Sequence, residues 1–124
     1  MSPGPASTDV EATIRAAYDA FNRRDLDAAV ELMHLDADWP NAWEGGRVHG
    51  RDAVLEYWRR QFAAISSRVD PVELTTQPDG SVSIEVHQVV HDAKSGDLLA
   101  DSTVVHRYRL EDGLIVRMDV AERP

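Results

Sequence analysis

Residues 106–120 read HRYRLEDGLIVRMDV, two apolar-rich runs around the turn Glu111–Asp112–Gly113. The pattern predicts a β-hairpin, and its register decides which side of the molecule is inside. A strand slipped by one residue turns every side chain over. With a three-residue loop and a left-handed Gly113, Leu110 faces Leu114, Tyr108 faces Val116 and His106 faces Met118; Val120 continues that face. With a two-residue type I′ turn at Asp112–Gly113, His106 faces Asp119 instead, a pairing of the kind that orients a catalytic imidazole. That second register also puts Arg107 and Arg109 on the face of Val116 and Met118. The first matches apolar to apolar far better, so its face is read as inner.

Two further hairpins agree. The "PDG" turn at 78–80 sets Thr76 opposite Val82, Leu74 opposite Ile84 and Val72 opposite Val86. The "KSGD" turn at 94–97 brings Val86 or Ile84 beside His106. One face is then almost wholly apolar, with Thr76, Gln88, Ser102, His106 and the Tyr108 hydroxyl as its polar members. The other carries Glu85, His87, His91, Asp101, Arg107, Arg109, Arg117 and Asp119, with Val89, Leu99, Val105 and Ile115 among them.

Upstream, Thr8 and Glu11 fit a capping box, and Val10, Ile14, Ala17, Tyr18 and Phe21 recur at helical spacing. Asp25 caps a short second helix with Leu26, Ala29, Val30 and Met33 inside. A strand over 37–43 puts Trp39, Asn41 and Trp43 on one face, followed by the Gly45–Gly46 turn and a short strand ending at Gly50. A third helix covers 52–65, with Val54, Tyr57, Trp58, Gln61, Phe62 and Ile65 along one side. Strands follow at 68–77, 81–92, 98–110 and 114–121. The order predicts an α+β domain over residues 8–124, three helices packed on one face of a sheet ending in a four-strand antiparallel meander; residues 1–7 read as a disordered tail.

Bulk properties narrow the function. The 124 residues suit one core, and 43% hydrophobic with 28% charged residues is an ordinary globular composition. A formal net charge of −9 with no basic run argues against nucleic acid or an acidic membrane as partner. No apolar run suits a membrane span, and the N-terminus lacks the basic start and apolar stretch of a signal peptide, so a cytoplasmic location is expected. There is no cysteine, which excludes thiol nucleophiles and thiolate metal sites. His87 and His91 lie about 13 Å apart along a strand, too far to share a metal, and no metal site is expected.

Three stretches carry a family resemblance: AAYDAFNRRDLDAAVELMHLDADWPN at 16–41, GRVHGRDAVLEYWRRQF at 46–62, and the closing HRYRLEDGLIVRMDV. Together the chain from Val10 to Val120 resembles a SnoaL-like member of the nuclear transport factor 2 (NTF2-like) superfamily. The resemblance implies a cone: helices packed on a curved, mostly antiparallel sheet that encloses a pocket. It implies a small-molecule ligand, no cofactor, and a homodimer formed through the sheet. The superfamily includes ketosteroid isomerases, polyketide cyclases, limonene-epoxide hydrolases, dehydratases and non-enzymatic binders. The isomerases' general-base aspartate falls on Asn41, which is no base at neutral pH. Their protonated-aspartate oxyanion donor, a case described for that enzyme, falls on His106. Their helix-one tyrosine falls on Ala17, beside Tyr18. The cyclases' acidic residue on the last strand falls on Val120.

The candidate catalytic residues are therefore His106 and Asn41. His106 sits among apolar neighbours, where burial favours its neutral form; its bland reading is a core histidine bonded to backbone. Asn41 could orient a ligand oxygen or satisfy loop backbone. Candidate substrate contacts are Trp39, Trp43, Tyr18, Tyr57, Trp58, Phe62, Gln88, Tyr108 and Met118, an aromatic set richer than so small a core requires. Two functions fit: a cofactor-free proton-transfer enzyme of isomerase, cyclase, dehydratase or hydrolase type, or a non-catalytic small-molecule binder with the same pocket.

Overall fold

The computed structural model describes residues 4–41 and 45–121. Trp43 lies outside the described residues. In chain order the elements are α1 (Gly4–Asn22), α2 (Leu26–Glu31), β1 (Met33–Pro40), β2 (Arg47–His49), α3 (Arg51–Ala64), β3 (Ile65–Thr76), β4 (Val82–Asp92), β5 (Leu98–Glu111) and β6 (Leu114–Ala121). The six strands form one sheet in the order β2-β1-β6-β5-β4-β3. Every neighbouring pair is antiparallel except β1 and β6, which run parallel. The α+β architecture and the four-strand meander expected from the sequence are both present. α1 begins at Gly4, ahead of the Thr8 start.

The second helix is capped as expected: the Asp25 carboxylate accepts the Ala28 amide at 3.3 Å. The helix stops at Glu31, however, and Met33 opens β1 instead of closing a helical face. β1 then buries Met33, Ala37 and Trp39. This strand starts well before residue 37 because its first part pairs with β6, at Met33–Ile115. A parallel partner so distant in sequence leaves no local signal.

The 106–120 hairpin resolves into neither register read from sequence. Asp112 and Gly113 both have positive φ, 53° and 79°, and Glu111 pairs with Leu114, so the turn is the two-residue type I′ form. A β-bulge at Val116 then shifts the pairing, giving Tyr108–Met118, Arg107–Asp119 and His106–Val120. The bulge restores the apolar face that the turn alone would have inverted. Tyr108, His106 and Met118 are buried together, as expected. Ile115, read as outward, is completely buried, because it lies on the turn side of the bulge and pairs with Leu110.

The "PDG" hairpin pairs Thr76 with Val82 and Leu74 with Ile84 as read. A bulge between Pro71 and Glu73 then ejects Val72, which is 58% exposed, and turns Val69 and Ser67 inward. Ile84 lies opposite His106, one of the two partners expected. β3 is an edge strand, and α1 ties down its free edge. The Asn22 amide donates to the Val69 carbonyl at 2.8 Å and accepts the Val69 N–H at 2.9 Å.

On the outer side Arg47 and Arg117 interlock with Asp38 and Asp119, four contacts between 2.6 and 3.0 Å joining β1, β2 and β6. Asp119 thus faces away from His106. The Arg117 side chain beside it holds its carboxyl below the ordinary range.

Candidate active site

The inner sheet face, α1 and α3 line a cavity of about 190 Å³ that opens to solvent on one side. α1 contributes Ala17, Tyr18 and Phe21, and α3 contributes Tyr57, Trp58 and Gln61 at helical spacing. β1 supplies Met33, Trp39 and Pro40; β3 supplies Ser67 and Val69; β4 supplies Gln88. His106 and Tyr108 come from β5, and Met118 and Val120 from β6. Trp39 packs edge-on against Trp58, with ring centroids 5.5 Å apart, which fixes one wall.

A buried hydrogen-bonded chain runs through this cavity. The Tyr108 hydroxyl lies 2.8 Å from that of Tyr18, which lies 2.8 Å from Nδ1 of His106. The Tyr18 and His106 rings are nearly parallel, 14° apart, and Tyr108 meets both edge-on. Tyr108 is only 3% exposed, and Tyr18 is its one hydrogen-bonding partner among the described residues. Leaving a buried phenol proton without an acceptor costs about 1–3 kcal/mol, so Tyr108 donates to Tyr18. Tyr18 then donates its own proton to Nδ1. The imidazole proton therefore sits on Nε2.

Nothing else among the described residues hydrogen-bonds to the His106 ring. No fully buried polar side-chain atom among the described residues lacks a partner, so Nε2 opens onto the cavity. Burial lowers the His106 pKa to about 4, and the ring is neutral at pH 7. Burial also raises Tyr18 well above the usual phenol value, with neighbouring Tyr108 adding to it. Tyr108 is raised by burial, an effect its bond to Tyr18 partly offsets. All three groups are uncharged at neutral pH. The arrangement is a neutral Nε2–H donor aimed into a mostly apolar cavity, with Nδ1 held as acceptor by two phenols.

Of the residues singled out in sequence, His106, Trp39, Tyr18, Tyr57, Trp58, Gln88, Tyr108 and Met118 all line the cavity. Phe62 does not: it packs on Phe21 at 5.0 Å, and the Arg24 guanidinium covers its ring at 4.0 Å. Asn41 is not among the lining residues. β1 ends at Pro40, and the Asn41 backbone closes the following turn, its N–H on the Gly46 carbonyl and its C=O on the Gly45 N–H, both 3.0 Å. Ser67 and Val69 enter the site through the bulge after Pro71, which no sequence pattern marks. Gln61 was legible on the inner side of α3 and lines the cavity, donating to the Tyr57 hydroxyl at 3.4 Å. His87, on the outer face, pairs with Asp101 at 2.6 Å. No three metal-ligating side chains come together among the described residues.

Comparison with known proteins agrees with this architecture. The SnoaL-like domain model matches residues 14–118. An NTF2-like protein of unknown function from Burkholderia pseudomallei superposes with a TM-score of 0.79 at 25% identity, over 93% of this chain and 91% of that one. A protein assigned as a polyketide cyclase from Sinorhizobium meliloti gives 0.72 at 25% identity, over 89% and 94%. The epoxide hydrolase/cyclase-like enzyme SalBIII, of pyran ring formation in the polyether salinomycin, shares the fold at 0.79 with 21% identity, over 92% and 90%. No curated protein matches the sequence.

Proposed function

Because the chain belongs to the SnoaL-like family, we propose that it binds a small, largely apolar metabolite in the cone cavity and catalyses a cofactor-free proton-transfer reaction of isomerase or cyclase type. The observation that carries this reading is the Tyr108–Tyr18–His106 chain. It presents one neutral imidazole to an otherwise mostly apolar space, where an uncompensated charge is costly and a directed hydrogen bond is strong. His106 polarises a substrate oxygen or passes it a proton, and Gln88 holds a second oxygen or a water. Dehydration and hydrolysis use the same parts. Asn41 belongs to the ligand's surroundings only through the β1–β2 turn.

One observation favours a non-catalytic binder instead: no carboxylate is among the described residues that line the cavity, so the usual base of this fold has no counterpart. The two readings part on one experiment. Steroid-like, terpenoid and aromatic polyketide ligands are screened by fluorescence of Trp39 and Trp58, and each binder is assayed for turnover by wild type and His106→Gln. Turnover that falls at least a hundredfold in the variant supports the enzyme. Binding without His106-dependent turnover leaves the binder.

The reading places the protein in the cytoplasm as a homodimer joined through the outer sheet face, where Val89, Leu99 and Val105 stand among charged neighbours. No helix among the described residues is long and apolar enough to cross a membrane. Sedimentation at micromolar concentration tests the dimer.

A further inference from the structure

We infer that the ligand is an uncharged compound of one or two rings, anchored by a carbonyl-type oxygen that accepts the Nε2–H of His106. This rests on the cavity being the ligand site, as proposed above, and goes on to its chemical class.

Size sets the first limit. A cavity of about 150 Å³ holds benzene, and this one is about 190 Å³. One ring, or two fused rings, is what such a space surrounds; a four-ring skeleton would leave rings outside the walls. The walls suit flat rings, since Trp39, Trp58, Phe21 and Tyr57 all present aromatic surface.

Charge sets the second. No Arg, Lys, Asp or Glu is among the described residues lining the cavity. A buried carboxylate or ammonium needs a counter-charge, and it would meet none among these lining residues. Protonated His106 does not supply one, because burial holds its pKa to about 4.

Polarity sets the third. The two phenols fix the imidazole as an acceptor at Nδ1 and a donor at Nε2. His106 is 8% exposed, and its Nε2 has no protein partner among the described residues. A donor so placed selects a lone pair, and it gains strength because Tyr18 and Tyr108 polarise the ring from the far side. The Ser67 hydroxyl and the Gln88 amide, likewise without side-chain partners among the described residues, leave room for a second oxygen on the ligand.

The test compares four probes on the full chain at pH 7 by quenching of tryptophan fluorescence. They are 1-tetralone, its hydrocarbon tetralin, the carboxylate 1,2,3,4-tetrahydro-1-naphthoate, and the steroid androst-4-ene-3,17-dione. The ketone is expected to bind at least tenfold more tightly than each of the other three. In His106→Phe the gap between ketone and hydrocarbon is expected to close. The ligand series in wild type stands without that variant should it fail to fold. A carboxylate or steroid that binds as well as the ketone overturns the inference, as does a ketone no tighter than tetralin, or a gap that persists without His106. A ketone that binds and is never turned over sinks the catalytic reading and leaves this one standing. A carboxylate turned over in a His106-dependent way does the reverse.

Discussion

Replacing Tyr18 by Phe removes the middle oxygen of the chain that sets His106. Tyr108 then keeps a buried O–H with no acceptor, and Nδ1 of His106 loses its donor. The stranded phenol proton costs about 1–3 kcal/mol, and the lost acceptor bond at Nδ1 adds about 0.5–1.5 kcal/mol, so Tyr18→Phe is expected to destabilise by about 1.5–4.5 kcal/mol. Tyr108→Phe removes the end of the chain. Tyr18 still donates to Nδ1 and loses only one bond to a lone pair, at about 0.5–1.5 kcal/mol. Both variants keep the aromatic ring and its packing, so the comparison isolates the hydroxyls. Urea unfolding of each, with slopes compared to confirm two-state behaviour, gives the two differences. In either direction Tyr18 makes two bonds of the chain and Tyr108 one. A Tyr108→Phe loss equal to or larger than that of Tyr18→Phe therefore refutes Tyr18 as the middle of the chain.

Three further outcomes follow from the same structure. His106 has a folded pKa lowered from 6.5 to about 4, so between those values the unfolded chain binds a proton that the folded chain refuses. Its contribution is present in full above about pH 6.5 and is lost as pH falls towards 4, about 3 kcal/mol in all; the difference in urea stability between wild type and His106→Gln, followed from pH 7 to 4, should shrink by that order. Asn22→Ala leaves the Val69 N–H and C=O unpaired at a partly buried sheet edge and is expected to cost about 1–3 kcal/mol, with earlier hydrogen exchange at Val69 than elsewhere in β3. Gly113→Ala meets no neighbouring atom but must hold φ near 79°, so thermal unfolding should register a loss of about 1–2 kcal/mol from backbone strain alone.

The inner face of the sheet was legible because hydrophobic alternation is local and three hairpins had to agree on it. That was enough to place His106 and Tyr108 on one wall and Trp39, Tyr57 and Trp58 on others. Pairing within the last hairpin was not legible. Asp112–Gly113 does make the type I′ turn that its sequence favours, and the bulge at Val116 then cancels the inversion that such a turn implies. A bulge leaves no residue-type signature, and Ile115 was misplaced for that reason. The bulge after Pro71 likewise hid Ser67 and Val69. Phe62 lies on the same helix side as Trp58, yet Arg24 and Phe21 claim its ring. The bond between Tyr18 and His106 joins residues 88 apart in sequence, and only the way α1 crosses the sheet brings them together.

The neutral, Nε2-protonated His106 is the centre of the proposed chemistry, and ring-¹⁵N nuclear magnetic resonance of the histidine-labelled protein observes it directly. The expected result is a His106 ring carrying its proton on Nε2, with Nδ1 shifted as a hydrogen-bond acceptor, and no titration between pH 8 and about 5. A proton on Nδ1, or a midpoint near 6.5, would contradict it.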